Sequence, residues 1–460
     1  MSHRFAPPDP AAAPVWFVTP GTWPEIQTAI GPAGVRFAAA SGFEPKPGRL
    51  QLLPGAEGAL AGALFGLAER DAKGRDPFAA GRLASALPAG GYRFANAPHE
   101  PELAALAFLL GLYRFERYRT EASARPRLVA PDGVDAARLE TIARAVAFGR
   151  DLINTPANDL GPSALEHEAA RLAGEFGAEF EAVCGEDLIA RNLPLIHAVG
   201  RAAAEPPRLV DIRWGRVDAP KVTLVGKGVV FDTGGLDIKP SAGMLLMKKD
   251  MGGAAAALAL SRLIMETGLD VRLRTLVPIV ENVISASSFR PGDVIKSRKG
   301  LTVEIGNTDA EGRLILADAL ALAEEEAPEL LFDFATLTGA ARVALGPDLP
   351  PFYTDDETLA GEIASAATRV ADPLWRMPLW RPYEAMIDSG VADLDNAGTG
   401  GFAGSVTAAL FLARFVDPGR SWAHFDIYGW SPKARAHGPQ GGEVQAARAV
   451  FALLEARYRR

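Results

Sequence analysis

From Lys221 onward the sequence alternates two kinds of segment, and that alternation constrains the fold more than any single residue does. Short runs rich in β-branched and aromatic residues ("KVTLVGKGVVFD", "VRLRTLVPIV", "LTVEIG", "LLFDFATL", "SWAHFDIYG") are separated by Ala/Leu-rich stretches such as "GGAAAALALSRLIMETG" and "RLILADALALAEEEA". The first kind suits strands; the second repeats apolar residues at the spacing of three and four that turns one helix face to a core. Strands alternating with helices build a mostly parallel central sheet flanked by helices, an α/β fold whose chemistry sits at the carboxyl ends of the strands.

Upstream, residues 14 to 118 mix short β-like runs ("VWFVTP", "VRFAAAS", "RLQLLPG") with helical segments. "RTEASARPRLVAPDG" (119–133) is polar and proline-bearing and reads as a linker, and a helix runs through "VDAARLETIARAVAFGRDLIN" to stop before Pro156. A chain of 460 residues is too long for one small core. The expected division is a smaller N-terminal α/β domain over 1–125 and a larger C-terminal α/β domain over 126–460, with linker and connecting helix at about 119–153.

The net charge of −8 argues against a nucleic-acid surface. One cysteine, Cys184, excludes an intrachain disulfide and a multi-cysteine zinc site, and fits a reducing compartment. The start, "MSHRFAPPDPAAAPVW", has prolines where a signal peptide needs an apolar core, and the apolar run over 103–113 is far short of a membrane span. A cytoplasmic protein without a membrane partner is expected.

Charges gather where the apolar segments end. "LVGKGVVFDTGGLDIK" supplies Lys227, Asp232 and Lys239, "MKKDMGGAAAA" supplies Asp250, and "EIGNTDAEGRLILADAL" supplies Asp309, Glu311 and Arg313. Each is held near the core by a strand before it or a helix after it, and a buried charge must be paired or bind metal. Four carboxylates against three cations are either a salt-bridge network or a metal site. Asp309 and Glu311 are two apart, so they diverge on a helix and converge in an extended segment. Gly234, Gly235, Gly252, Gly253, Gly306 and Gly312 flank the acids and allow close approach. Two divalent cations balance four carboxylates, and paired metals roughly 3.5–4 Å apart activate water for hydrolysis. Oxygen-rich ligation suits Mn, Mg or Zn. The six histidines supply no H-E-x-x-H spacing, and His424, on a strand with Asp426, reads as a structural, hydrogen-bonded histidine. Neither a P-loop nor a G-x-S-x-G elbow is present.

Together these segments resemble the leucyl aminopeptidase family. "NTDAEGRL" (307–314) matches that family's signature octapeptide, and "VGKGVVFDTGG", "IKP", "MKKDMGGAAA", "RDLINTPAND" and "ATLTGA" follow its order over about residues 140–450. The resemblance implies a homohexameric, cytosolic aminopeptidase that removes N-terminal leucine or other apolar residues from peptides, using two divalent metal ions, Zn or Mn. It implies that Lys227, Asp232, Asp250 and Glu311 hold the tighter metal and Asp232, Asp309 and Glu311 the looser one. It further assigns Lys239 to the substrate carbonyl and its oxyanion, and Arg313 to a bicarbonate helped by the backbone around Leu337 and Gly339. By the same resemblance, Met247 is expected to line the pocket for the first side chain, and Thr336, Leu337 and Gly339 to contact substrate. "HFDIYGW" departs from the family by placing Tyr428 and Trp430 at small-residue positions, and "NLPLIHAVG" by placing His197 in an apolar stretch. A nucleic-acid-binding regulator and an inactive scaffold of the same fold are the alternatives.

Overall fold

The computed structural model describes residues 3–55, 58–119 and 124–459. They form two compact units, one of Met1–Ala147 with Lys433–Gln440 and the other of Phe148–Pro432 with Gly441–Arg460. The division falls inside the helix Ala136–Asn154. Nothing in the sequence pattern of residues 433–440 marks them as belonging to the first unit.

The first unit holds β1 (Ala13–Val18), β2 (Leu50–Pro54), β3 (Leu60–Gly66), β4 (Gly90–Phe94) and β5 (Pro126–Leu128), in the order β2-β3-β1-β4-β5. Only β2 runs antiparallel, and Phe17 packs edge-on against Phe65 and Phe94. Two expectations fail here. "VRFAAAS" is helical, lying mostly in Trp23–Ala40, because Pro32 restarts the helix after Gly31 (φ 69°) and the alanines that follow have the highest helix propensity. The supposed linker contributes β5, which pairs with β4 through Gly90–Pro126 to Tyr92–Leu128; residues 120–123 of it lie outside the described residues.

The second unit is built from β6 (Glu179–Cys184), β7 (Arg208–Trp214), β8 (Lys221–Gly226), β9 (Gly228–Asp232), β10 (Arg272–Asn282), β11 (Val294–Lys296), β12 (Thr302–Glu304), β13 (Leu330–Ala335), β14 (Pro351–Tyr353), β15 (Trp375–Arg376), β16 (Leu394–Asp395) and β17 (Trp422–Asp426). Its main sheet has the order β15-β14-β17-β13-β8-β10-β7-β6, with β9 also on β10. The four central strands β17, β13, β8 and β10 are parallel, as the alternation implied; β7 on one side and β14 with β15 on the other run against them, and β6, antiparallel to β7, returns to their direction. "LTVEIG" is a strand, but of a separate sheet, β11-β12-β16. The architecture is α/β in both units.

The Ala-rich helix Gly252–Thr267 lies close against this sheet: a Cβ on Gly253 would sit 2.1 Å from the Phe334 carbonyl oxygen, and one on Gly226 2.7 Å from the Ala254 Cα. Helix Glu311–Glu324 is buried along nearly its whole length. The acid in its middle, Asp318, accepts backbone N–H bonds from Leu195 and Arg298, each at 2.8 Å. It therefore satisfies the first turn of another helix, Pro194–Gly200. No described helix is long and apolar enough to cross a membrane.

His424 is fully buried and bonded, the structural role expected of it. Its Nδ1 lies 2.6 Å from Asp333 Oδ1, and Asp333 Oδ2 accepts the Trp422 indole N–H at 2.7 Å. Burial disfavours the imidazolium, but the charge and hydrogen bond of Asp333 outweigh it, with help from Asp426 and against Arg313, so the His424 pKa is raised. A raised folded-state pKa stabilises fully below the unfolded value of about 6.5 and is lost as pH rises through the folded pKa. The stability gap between wild type and His424→Gln, from urea midpoints, is expected to be widest below pH ~6.5 and to narrow above it; a gap independent of pH would refute the charged pair.

Candidate metal centre

The acids and lysines meet where strands of the second unit end. The line of β8 breaks at Lys227, whose N–H bonds to the Phe334 carbonyl of β13 at 2.9 Å while its carbonyl accepts Ala254 N–H at 2.8 Å. β9 then continues beside β10 and ends at Asp232. Gly234 and Gly235, at φ 88° and 62°, occupy the left-handed region and turn the chain so that Lys239 N–H reaches the Thr233 carbonyl at 2.9 Å. A short turn, Met247–Met251, brings Asp250, and the corner after β12 brings Asp309 and Glu311 at the start of helix 311–324.

The resulting cluster is dense and mostly dry. Asp232, Asp250, Glu311 and Lys227 are each 1–3% exposed, while Asp309 and Lys239 are half-buried at its edge. Ligand oxygens of Asp232, Asp309 and Glu311 lie within 4.8 Å of one another. Lys227 Nζ sits 2.7 Å from Asp250 Oδ2 and 3.0 Å from Glu311 Oε1, and donates to the Thr336 carbonyl at 3.1 Å. Lys239 Nζ is 2.9 Å from Asp232 Oδ2 and also touches Asp309 Oδ1. The other oxygen of Asp232 accepts Gly234 N–H and the Asn282 amide, each at 2.9 Å.

The ion pairs do not exhaust the acids. Burial pushes Glu311 up to about 8 and Asp309 up to about 6, and raises Asp250; neighbouring carboxylates add to this and the lysines oppose it. Burial works against the charge on Lys227 as well, yet Asp250, Glu311 and Asp232 hold it as an ammonium well above the ordinary lysine range. Asp250 Oδ2, Asp309 Oδ1 and Glu311 Oε1 touch lysine nitrogens without hydrogen-bond geometry, and Glu311 Oε2 has no hydrogen-bond partner among the described residues. Buried oxygens left in this state are costly, and divalent cations are the groups that satisfy several of them at once. The donor set fits hard or borderline metals.

The structure thus gathers Lys227, Asp232, Lys239, Asp250, Asp309 and Glu311 into one cluster. Thr336 joins it by donating its hydroxyl to Asp250 Oδ1 at 2.8 Å. Arg313 lies behind it: buried, with Nη1 donating to the Asn396 carbonyl, the guanidinium 6.0 Å from the Phe411 ring centroid, and Nε without a hydrogen-bond partner among the described residues. Met247 is half-buried in the turn that carries Asp250, and Gly339 opens the helix Gly339–Leu345. The Leu337 amide donates to Asp426 Oδ1 at 3.1 Å.

Two asparagines that carry the site escaped sequence reasoning. Asn396, fully buried, accepts Gly306 and Asn307 N–H at 2.8 and 3.1 Å and donates to the Asn307 and Ala310 carbonyls at 2.8 and 3.2 Å. It therefore clamps the corner that presents Asp309 and Glu311. Asn282, at the end of β10, orients Asp232 and bonds the Thr308 carbonyl at 3.1 Å. Neither sits in a periodic or charged pattern; the only signal for Asn396 is its Gly-rich surroundings. The departures also find partners. The Tyr428 ring lies between Lys249 at 4.7 Å and Arg342 at 5.4 Å, Trp430 beneath Lys248 at 5.6 Å, and His197 Nε2 lies 3.0 Å from Glu186.

Buried carboxylates in excess of their lysines, at the carboxyl ends of a parallel sheet, are the fold and site of a metallohydrolase. Comparison with known proteins narrows this. The catalytic-domain profile of the cytosol aminopeptidase family matches residues 147–451, and an M17 aminopeptidase N-terminal domain profile matches 19–131. A probable cytosol aminopeptidase of Syntrophotalea carbinolica is 42% identical over 365 residues, covering 75% of this chain and 73% of that one. The crystal structure of cytosol aminopeptidase from Coxiella burnetii superposes with a TM-score of 0.94 at 44% identity, covering all of both chains. The bottromycin maturation enzyme BotP in complex with Mn gives 0.87 at 34% identity, over 97% of this chain and 99% of that one. The chain belongs to the cytosol aminopeptidase family, and is a metal-dependent exopeptidase.

Gly312 tests the packing of the cluster. A Cβ there would lie 2.6 Å from Lys227 Cε and 2.7 Å from Nζ, and Lys227 has no freedom to withdraw while Asp250, Glu311 and Thr336 hold it. Gly312→Ala is expected to fold but to lose about 10²-fold in kcat/KM, the usual order for displacing a site group by an ångström. Steady-state kinetics on folded variant would contradict this by returning the wild-type rate.

Proposed function

We propose that this enzyme hydrolyses the N-terminal residue of peptides, with leucine or another apolar residue first, using two divalent metal ions per chain. The observation that carries the reading is the excess of buried carboxylate over lysine, with oxygens of Asp232, Asp309 and Glu311 within 4.8 Å. Lys227, Asp232, Asp250 and Glu311 are assigned to the tighter metal, and Asp232, Asp309 and Glu311 to the looser, with Asp232 and Glu311 shared. When bound, such ions supply Lewis acidity, generating a nucleophile from water near neutral pH and polarising the scissile carbonyl. Zn and Mn both suit the donors, and the Mn complex of BotP favours the second.

The chain's own residues do the rest. Lys239, half-buried at the rim, is assigned to the substrate carbonyl oxygen as it gains charge, where a fixed cation lowers the barrier most. Arg313 presents a buried Nε with no hydrogen-bond partner among the described residues, which a bicarbonate or similar planar oxyanion would satisfy as proton acceptor for the attacking water. Met247 and the turn over 336–339 flank the cluster and are assigned to the first side chain and the peptide backbone. A homohexamer is consistent with Trp375, Trp380 and Phe402, each more than half exposed, since large apolar side chains left in water mark interfaces. The relatives' names support a cytoplasmic setting.

The reading predicts three outcomes from one assay series. Leu-p-nitroanilide is cleaved, N-acetyl-Leu-p-nitroanilide is not, and a strong chelator abolishes cleavage until Zn or Mn is returned. Full activity in protein shown metal-free by elemental analysis, or efficient cleavage of the blocked substrate, would refute it.

A further inference from the structure

Asp426 ends β17 beside Ala335, the last residue of β13, and is 2% exposed. Its Oδ1 accepts the backbone N–H groups of Leu337 and Thr338, both at 3.1 Å. Its Oδ2 accepts the Thr338 hydroxyl at 2.6 Å and the Ser405 hydroxyl at 2.9 Å. Tyr353, buried in β14 beside β17, donates its hydroxyl to Ser405 at 2.7 Å, so the array runs from β14 into the turn after β13. Four donors fill the accepting capacity of one carboxylate. No lysine or arginine forms an ion pair with it among the described residues.

That turn is tied to the metal cluster at its other end. Thr336 gives its hydroxyl to Asp250 and its carbonyl to Lys227, and Thr338 goes on to cap the helix Gly339–Leu345 by accepting Ala341 N–H at 3.1 Å. Three consecutive residues are thus stretched between two anchors, the acid cluster and Asp426. A loosened turn would shift the Thr336 carbonyl, and with it Lys227.

We infer that Asp426, which touches neither metal ligands nor reacting atoms, is a positioning residue. It sets the 336–338 turn, and through Thr336 the geometry of Lys227 and Asp250. The inference rests on the assignment of that cluster as the catalytic centre. It requires the Thr338 hydroxyl specifically, since this group joins the carboxylate to both the turn and the helix behind it. Removing either end of that bond costs turnover per folded molecule, rather than folding alone.

The test compares Asp426→Asn, Thr338→Val, Thr338→Ser and, as a control on the centre itself, Lys239→Ala. Each metal-loaded enzyme is assayed on Leu-p-nitroanilide for kcat and KM separately, with circular dichroism and metal content measured on the same samples. Asp426→Asn and Thr338→Val are expected to fold, and to lose roughly 10-fold or more in kcat with a smaller change in KM. Thr338→Ser is expected to return to within about twofold of wild type, because it keeps the hydroxyl. Wild-type kcat in folded Asp426→Asn and Thr338→Val, or equal losses in Thr338→Val and Thr338→Ser, would overturn the role of Asp426. If Asp426→Asn does not fold, the two Thr338 variants decide. Lys239→Ala separates the two failures: it is expected to lose about 10²-fold in kcat, and full activity there would sink the assignment of the centre instead.

Discussion

Everything in the larger unit is arranged around four carboxylates that cannot be buried together without positive charge. Asp250, Asp309 and Glu311 are disfavoured as anions first by burial and then by neighbouring carboxylates, Asp232 among them. Lys227 and Lys239 each reach two of these acids and offset part of that cost. Losing one partner of a buried pair typically costs about 3–5 kcal/mol, so the lysines are structural members of the fold as well as parts of the site. The glycines have the same cause. Gly312 leaves room for Lys227, and Gly234 and Gly235 turn the chain from Asp232 back to Lys239.

The corner that presents Asp309 and Glu311 shows how such a cluster is held. A surface loop would not fix two acids against their own repulsion. Asn396 does so with four hydrogen bonds to the backbone of the corner, and its carbonyl receives Arg313. The helix that follows is buried on nearly all sides and anchors the corner in the core. On the opposite flank, Thr336 ties the turn after β13 to Asp250 and Lys227. Amides and hydroxyls thus hold both flanks of the cluster, with Asn396 on one and Thr336 on the other.

Much of this was legible in the sequence, and the exceptions are instructive. The parallel strands β8, β10, β13 and β17 appear as apolar runs because both sheet faces are covered. The six clustered residues are visible because charges beside apolar runs are rare and need a reason. The helix over "VRFAAAS" was misread because a short apolar run carries no decisive period, and alanine propensity settles it. Strand β5 hides in a polar, proline-bearing stretch because a three-residue edge strand needs little hydrophobicity. The roles of Asn396, Asn282 and Asp426 were hidden for another reason: their side chains act through hydrogen bonds to residues between 21 and 90 positions away. Spacing along the chain does not reveal such contacts.

Lys227 is where the fold and the proposed chemistry meet. With its present partners it is an ammonium. To serve as a ligand its amine must give up the proton, which adjacent divalent cations favour and a guanidinium cannot do. Counting metal ions per chain by elemental analysis, after dialysis of wild type and Lys227→Arg against Zn or Mn, tests this directly. The account predicts two tightly held ions in wild type and loss of the tighter one in the folded variant. Two tightly held ions in Lys227→Arg would show that residue 227 only pairs with the acids, and would contradict the account.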